Sequence, residues 1–272
     1  MLESIDVSKN AEKICLIDGD SLLYYDMDKA TLEDAKESID SRVSTILTEC
    51  NTTKYVGFLT GSGCFRYSVS STYKSNRKGK PKPIIFYALR EYLKQKYGFY
   101  EYPKLEADDL VSYYHQANLE GTIICSPDKD VLKQCEGTHF NYQKVEFVTT
   151  SAFDANKFLW RQTLMGDSTD GVVGIPGVGE KTADNWLLDR EKDFEAFALK
   201  KYVEKFGTIE GIMQFYTNFK LVYLLKTDDD IMREIGEPFL PTLTVQSHTP
   251  HSSNFLNSSN YESDTPRDVW ED

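Results

Sequence analysis

The chain has 272 residues, 40% hydrophobic and 13% aromatic, enough to bury a sizeable core and too apolar for general disorder. No apolar run approaches the roughly 20 residues of a membrane span, and the polar start MLESIDVSKNAEK has no signal-peptide core, so a cytoplasmic protein without membrane contact is expected. Net charge is −12, which argues against a uniformly basic nucleic-acid binder, but the charge is unevenly placed.

Lys13–Asp18 (KICLID) reads as a strand entering an Asp-Gly turn, and Thr31–Cys50 has helical spacing. Lys54–Leu59 is a second strand, Ile84–Tyr97 a second helix, Glu106–Leu119 a third helix and Gly121–Cys125 a third strand. His139–Tyr142 and Val145–Val148 suit a hairpin. Strands alternating with helices through residue 150 predict an α/β domain over 1–150 with a mainly parallel sheet. From Ser151 the pattern is helical: Ala152–Met165, Glu180–Asp189, Asp193–Phe206 and Ile209–Leu225, a subdomain over 151–240. Pro241–Asp272 is polar and acidic with scattered apolar residues, and is expected to be a mobile tail.

Five cysteines (Cys15, Cys50, Cys64, Cys125, Cys135) show no C-x-x-C pair and no disulfide framework. Cys15 and Cys125 lie in apolar strands, where buried reduced thiols are expected.

Carboxylates stand where an α/β fold can gather them. Asp18 closes the first strand; Glu106, Asp108 and Asp109 open the third helix in LEADDL; Asp128 and Asp130 follow the third strand in SPDKDVL; Asp167 and Asp170 lie in MGDSTDGV. Loops at the C-terminal ends of parallel strands converge on one crevice. Each grouping alone reads as a turn or helix cap, but gathered carboxylates repel one another unless hard divalent cations intervene. Two Mg²⁺ or Mn²⁺ ions, taking oxygen ligands, fit that need and hydrolyse phosphodiesters.

In that order, LIDGD, YKSNR, LEADDL, SPDKDVL and MGDSTDGVVGIPGVGEKTA resemble the motifs of the 5′-nuclease family, over about residues 14–225. The family includes flap endonucleases, phage RNase H-type 5′-3′ exonucleases and the 5′-nuclease domain of bacterial DNA polymerase I. The resemblance implies a PIN-like (Rossmann-like) domain, a two-metal carboxylate site and a helix-three-turn-helix subdomain that holds duplex DNA. It implies cleavage near 5′ ends of flaps, nicked duplex or RNA–DNA hybrid, in replication or repair, by a monomer in a bacterial or phage-infected cytoplasm. One departure stands out: family members commonly carry an acid after the second strand, where this chain has Thr60.

Between Lys74 and Lys96 eight basic residues face one acid, Glu91. By the resemblance this window belongs to a basic arch over about 73–105, from which Lys74 and Arg77 reach the scissile phosphate as catalytic cations. Lys80 and Lys82 stand in a proline-interrupted stretch suited to threading a single strand, and Tyr73 is a stacking candidate. Arg66 is a further phosphate candidate. Gly174, Gly177 and Gly179 let backbone N–H groups approach duplex phosphates, followed by Lys181 and Thr182 at a helix start; the family's turn also binds K⁺. The acidic tail suits docking on a single-strand-binding protein or sliding clamp. The rival expectations are a PIN-type ribonuclease acting on single-stranded RNA and a catalytically weakened DNA-binding replication protein.

Overall fold

The computed structural model describes residues 12–249 except Lys78 and Lys80; the expectation for Lys80 and that for residues 250–272 lie outside the described residues. In chain order the elements are β1 (Ile14–Asp18), α1 (Gly19–Asp26), α2 (Leu32–Glu49), β2 (Lys54–Thr60), α3 (Arg66–Val69), α4 (Ile84–Tyr97), β3 (Tyr100–Tyr102), α5 (Ala107–Ala117), β4 (Thr122–Cys125), α6 (Lys129–Gln134), β5 (Gly137–Asn141) and β6 (Glu146–Thr150). Then follow α7 (Ala152–Met165), β7 (Gly166–Asp167), β8 (Val172–Val173), α8 (Glu180–Leu187), α9 (Phe194–Phe206), α10 (Thr208–Val222), α11 (Asp228–Ile235) and β9 (Gln246–Ser247).

The main sheet runs β3-β2-β1-β4-β5-β6, parallel except for the β5–β6 hairpin. Side chains alternate across a strand, so Cys15 and Ile17 of β1 join a core with α1, α2 and α4, while Leu16 joins the opposite core with α5, α6 and α11. Both faces are therefore covered, as a parallel sheet requires. Asp18 lies at the C-terminal end of β1, and Ser126 and Asp128 follow β4. These adjacent strands register Ile17 against Cys125, so their exits bring the carboxylates to one edge. The helical subdomain packs around a third core that includes Trp160, Tyr202 and Phe215, with the Trp160 and Phe215 rings stacked at 5.9 Å.

Three boundaries differ from the sequence expectation. The arch expected over 73–105 is largely packed chain: Phe86, Leu89 and Leu93 of α4 are buried against α1 and α2, and a fully buried Leu is worth roughly 1.5–3 kcal/mol over an exposed one. The helical subdomain ends before residue 240, because Leu224, Leu225, Ile231 and Ile235 return to the core beside α5. The expected tail begins too early, since β9 pairs antiparallel with β2, His248 N donates to Thr53 O and Tyr114 Oη donates to Pro241 O. Backbone pairing on a free sheet edge outweighs the segment's polar composition. Among the described residues no helix is long and apolar enough to cross a membrane.

Candidate metal centre

Asp18 is buried at the start of α1, where its carboxylate accepts from Asp20 N at 3.1 Å, Ser21 Oγ at 2.6 Å and Ser126 Oγ at 2.9 Å. Burial, with Asp20 and Asp128 nearby, still lifts its pKa to about 6. Burial and the charges of Asp18, Asp128 and Glu106 push Asp108 well above the carboxylate range. Asp128 caps α6, accepting from Asp130 N at 2.7 Å, and is raised by burial. Asp130 reaches about 8, through burial and then the charges of Asp128 and Asp167. Asp167 also bears on Asp128, so Asp18, Asp108, Asp128, Asp130 and Asp167 share one field of mutual repulsion.

Cations border that field on one side. Lys74 Nζ donates to Glu106 Oε1 at 2.6 Å and lies 3.6 Å from Asp170, while Arg77 donates to Asp170 at 2.7 Å. Burial opposes the Lys74 charge, but Glu106 and Asp170 outweigh it and hold the ammonium well above the usual lysine range. Glu106 is the mirror case. Burial raises it, yet Lys74 and Arg66 hold it at about 2. The segment carrying Lys74 is stitched to the D-x-x-D loop, with Lys74 N donating to Asp170 O at 2.8 Å and Asn76 Nδ2 to Thr169 O at 3.2 Å. A Cβ on Gly171 would stand 2.5 Å from Thr72 O, which explains a glycine at this close approach.

Several expected site residues have other work here. Both oxygens of Asp109 accept from the buried Arg66, at 2.6 and 2.7 Å, and Asp109 also closes the capping box of α5. It therefore holds Arg66, sharing the guanidinium Nη1 with Glu106. Arg66 itself is buried, donating also to Leu221 O and Tyr223 O, so it ties the two cores together and cannot grip a phosphate. Tyr73 is buried with its hydroxyl on Glu106 at 2.7 Å, which removes it as a stacking surface. Lys82 donates to Tyr24 Oη at 2.6 Å. Arg90, Lys94 and Lys96 pair with Glu101, Glu91 and Asp40, so much of the basic window is neutralised locally.

At the glycine turn, Gly174 is packed, a Cβ there standing 2.1 Å from Met165 C, whereas Gly177 (φ +84°) and Gly179 have open space around them. Gly179 precedes α8 without a side-chain cap, leaving N–H groups of the first turn to outside partners. Lys181 is exposed and Thr182 half-buried beside it.

Two residues outside the expected site set join it. Asp20, the last letter of LIDGD, is raised by burial, accepts from Thr60 N at 3.2 Å and lies 3.7 Å from Arg90. Ser126 bridges the β1 and β4 exits through Asp18. Thr60 accepts from Ala107 N at 3.0 Å, so it anchors the start of α5 where a carboxylate was expected.

No family model matches the chain. DNA polymerase I of Bacillus caldotenax is 28% identical over 230 residues, 74% of this chain and 24% of that protein, so the chain spans about a quarter of that relative's length. Flap endonuclease Xni of Shewanella oneidensis is 29% identical over 193 residues, 64% of this chain and 74% of the relative. The bacteriophage T5 D15 protein co-crystallised with metal ions has a TM-score of 0.63 at 18% identity, covering 81% of this chain and 93% of that one. The motif resemblance to 5′-nucleases and the PIN-like α/β fold it implied are thus borne out.

Proposed function

We propose that this chain is a divalent-metal-dependent, structure-specific 5′ nuclease that hydrolyses phosphodiesters near 5′ ends of DNA, in flaps, nicked duplex or RNA-primed duplex. The observation that carries the reading is the gathering of Asp18, Asp108, Asp128, Asp130 and Asp167 with three pKa values driven up by burial and mutual charge. Asp130 Oδ1 is buried without a hydrogen-bond partner, and an orphaned carboxylate oxygen among acids suits a hard cation. These five residues would hold Mg²⁺ or Mn²⁺. Such ions, when bound, activate water and stabilise the leaving oxygen.

The chain's own groups supply positioning and charge. Lys74, poised on Glu106, can turn to the extra negative charge that a phosphate gains in the transition state. Arg77 offers a fork for a neighbouring phosphate. Gly177, Gly179 and Lys181 suit the backbone of a duplex, which places the strand without reading its bases; the same turn's carbonyls would take K⁺. The T5 D15 flap endonuclease, of the same fold, has been crystallised with DNA and metal ions, which supports a DNA substrate here. Action in a bacterial or phage-infected cytoplasm fits these relatives, and the acidic segment after residue 249 would dock on a single-strand-binding protein or sliding clamp.

The test is a panel of 5′-labelled flap, nicked, gapped and RNA–DNA structures with Mg²⁺, Mn²⁺ or EDTA. Metal-dependent release from the DNA structures is expected. Cleavage confined to single-stranded RNA would establish a ribonuclease instead, and binding without release a non-catalytic DNA-binding protein.

A further inference from the structure

Away from the carboxylates, three thiols meet. Cys15 lies on β1 and Cys125 on β4, where the parallel register pairs Cys15 with Ile123 and Ile17 with Cys125. The two cysteines are thus two steps apart on one face of the sheet. Cys50, which ends α2, comes down on them from the helix layer. The three Sγ atoms lie within 4.8 Å of one another, Cys50 and Cys125 at 3.9 Å.

We propose that Cys15, Cys50 and Cys125 form a second metal site, selective for a thiophilic d¹⁰ cation of the Zn²⁺ or Cu⁺ kind. A metal–sulfur bond of about 2.3 Å places tetrahedral sulfurs about 3.8 Å apart, and planar three-coordinate ones about 4.0 Å. The 3.9 Å between Cys50 and Cys125 fits either with little movement. A disulfide would require the same sulfurs to close to about 2.05 Å. The ligand group contains sulfur alone, which favours soft ions over the hard Mg²⁺ that suits the aspartates.

Access and protonation are compatible. Cys15 and Cys125 are buried, but Cys50 is half-buried at the helix end, giving an ion a route in. Binding displaces the thiol protons, and the ion takes the electron pairs of all three sulfurs. It would cross-link β1, β4 and the end of α2. Cys125 adjoins Ser126, which holds Asp18, so the cross-link would stiffen one wall of the carboxylate site.

The experiment uses the full chain, reduced and stripped with chelator, then titrated with Cd²⁺ in excess Mg²⁺. One equivalent should bind with the near-ultraviolet thiolate-to-cadmium band and a raised melting temperature. Cys50→Ser, checked for folding by near-ultraviolet circular dichroism, should weaken the band and lose at least about tenfold in affinity, since it removes one of three ligands. Absence of stoichiometric Cd²⁺ binding by the unmodified chain, or an undiminished band in Cys50→Ser, would overturn the site. Nuclease activity is not read, so the outcome is independent of the proposed function.

Discussion

Lys74 Nζ lies 2.6 Å from Glu106 Oε1, and the same carboxylate accepts from Tyr73 Oη at 2.7 Å and Arg66 at 3.0 Å. The lysine backbone is in the left-handed region, φ +48°, a conformation that costs energy for a residue with a Cβ. Its amide is held there by Asp170 O. The chain thus accepts backbone strain to deliver an ammonium to the rim of the aspartate cluster.

Lys74→Ala should lower the single-turnover cleavage rate by about 10²–10³, the usual effect of losing one preorganised charge donor. Duplex affinity should change little, because Lys74 is mostly buried between Glu106 and Asp170. A variant that cleaves at the normal rate but binds weakly would move Lys74 from chemistry to substrate grip.

Without metal, the aspartates make stability depend on pH. Asp130 has a folded pKa of about 8 against roughly 4 unfolded. A raised carboxylate gives its full stability below the unfolded value and loses it as pH climbs through the folded one. His139, held at about 4 by burial, contributes the opposite slope below about pH 6.5, so in the window from 6.5 to 8 the raised aspartates, Asp130 and Asp108 among them, make stability fall with pH. In EDTA the melting temperature should fall across that window, and Mg²⁺ should flatten the fall. Asp130→Asn should reduce the slope, stabilise the metal-free protein by about 1–4 kcal/mol, and abolish cleavage while leaving duplex binding intact. A flat profile in EDTA, or normal turnover of the variant at saturating Mg²⁺, would take Asp130 out of the site.

The α/β pattern and its motifs were legible because period-2 and period-3.6 patterns report burial directly; Ile84–Tyr97 and Ala152–Met165 match the observed helices at both ends. Side-chain direction was not legible. Glu106, Asp108 and Asp109 are neighbours in sequence, yet only the fold decides that Asp109 turns onto Arg66, Glu106 onto Lys74, and Asp108 toward Asp18. Arg66 had no local signal either, since its partners lie 40 to 157 residues away. The Cys15–Cys50–Cys125 group depends on strand register, which motif spacing does not carry.

Arg66 supplies a test of that distinction. It is a buried cation on two carboxylates, and removing one partner of such a network costs about 3–5 kcal/mol. Arg66→Met should therefore lower the denaturation midpoint sharply, and Arg66→Met with Asp109→Leu should recover part of the loss. Wherever folded, both should keep the parent's salt dependence of duplex binding. A reduced salt slope with unchanged stability would return Arg66 to the phosphate-binding surface.

Lys181 is the contrasting case, exposed beside the open Gly177 and Gly179. Lys181→Ala should weaken duplex binding across all sequences and reduce the slope of log K against log salt by about one. Thermal stability should stay within about 0.5 kcal/mol, as for other surface changes. An unaltered slope would place the duplex elsewhere.

The C-terminal boundary can be set by truncation. Tyr100 Oη accepts from Thr244 N at 3.2 Å, Gln246 and Ser247 pair with Tyr55 and Lys54, and Leu240 is buried beside α5. Ending the chain at residue 249 keeps all of these contacts, so flap cleavage and melting temperature should match the full chain. Ending it at Leu240 uncovers the lower half of β2 and removes the β9 hydrogen bonds, each worth about 0.5–1.5 kcal/mol net. That shorter chain should melt several degrees lower. Its cleavage at low temperature should persist, because no aspartate of the cluster touches the lost segment. If ending at residue 249 destroys cleavage, the last residues belong to the catalytic unit; if ending at Leu240 costs no stability, the β9 pairing contributes nothing to the fold.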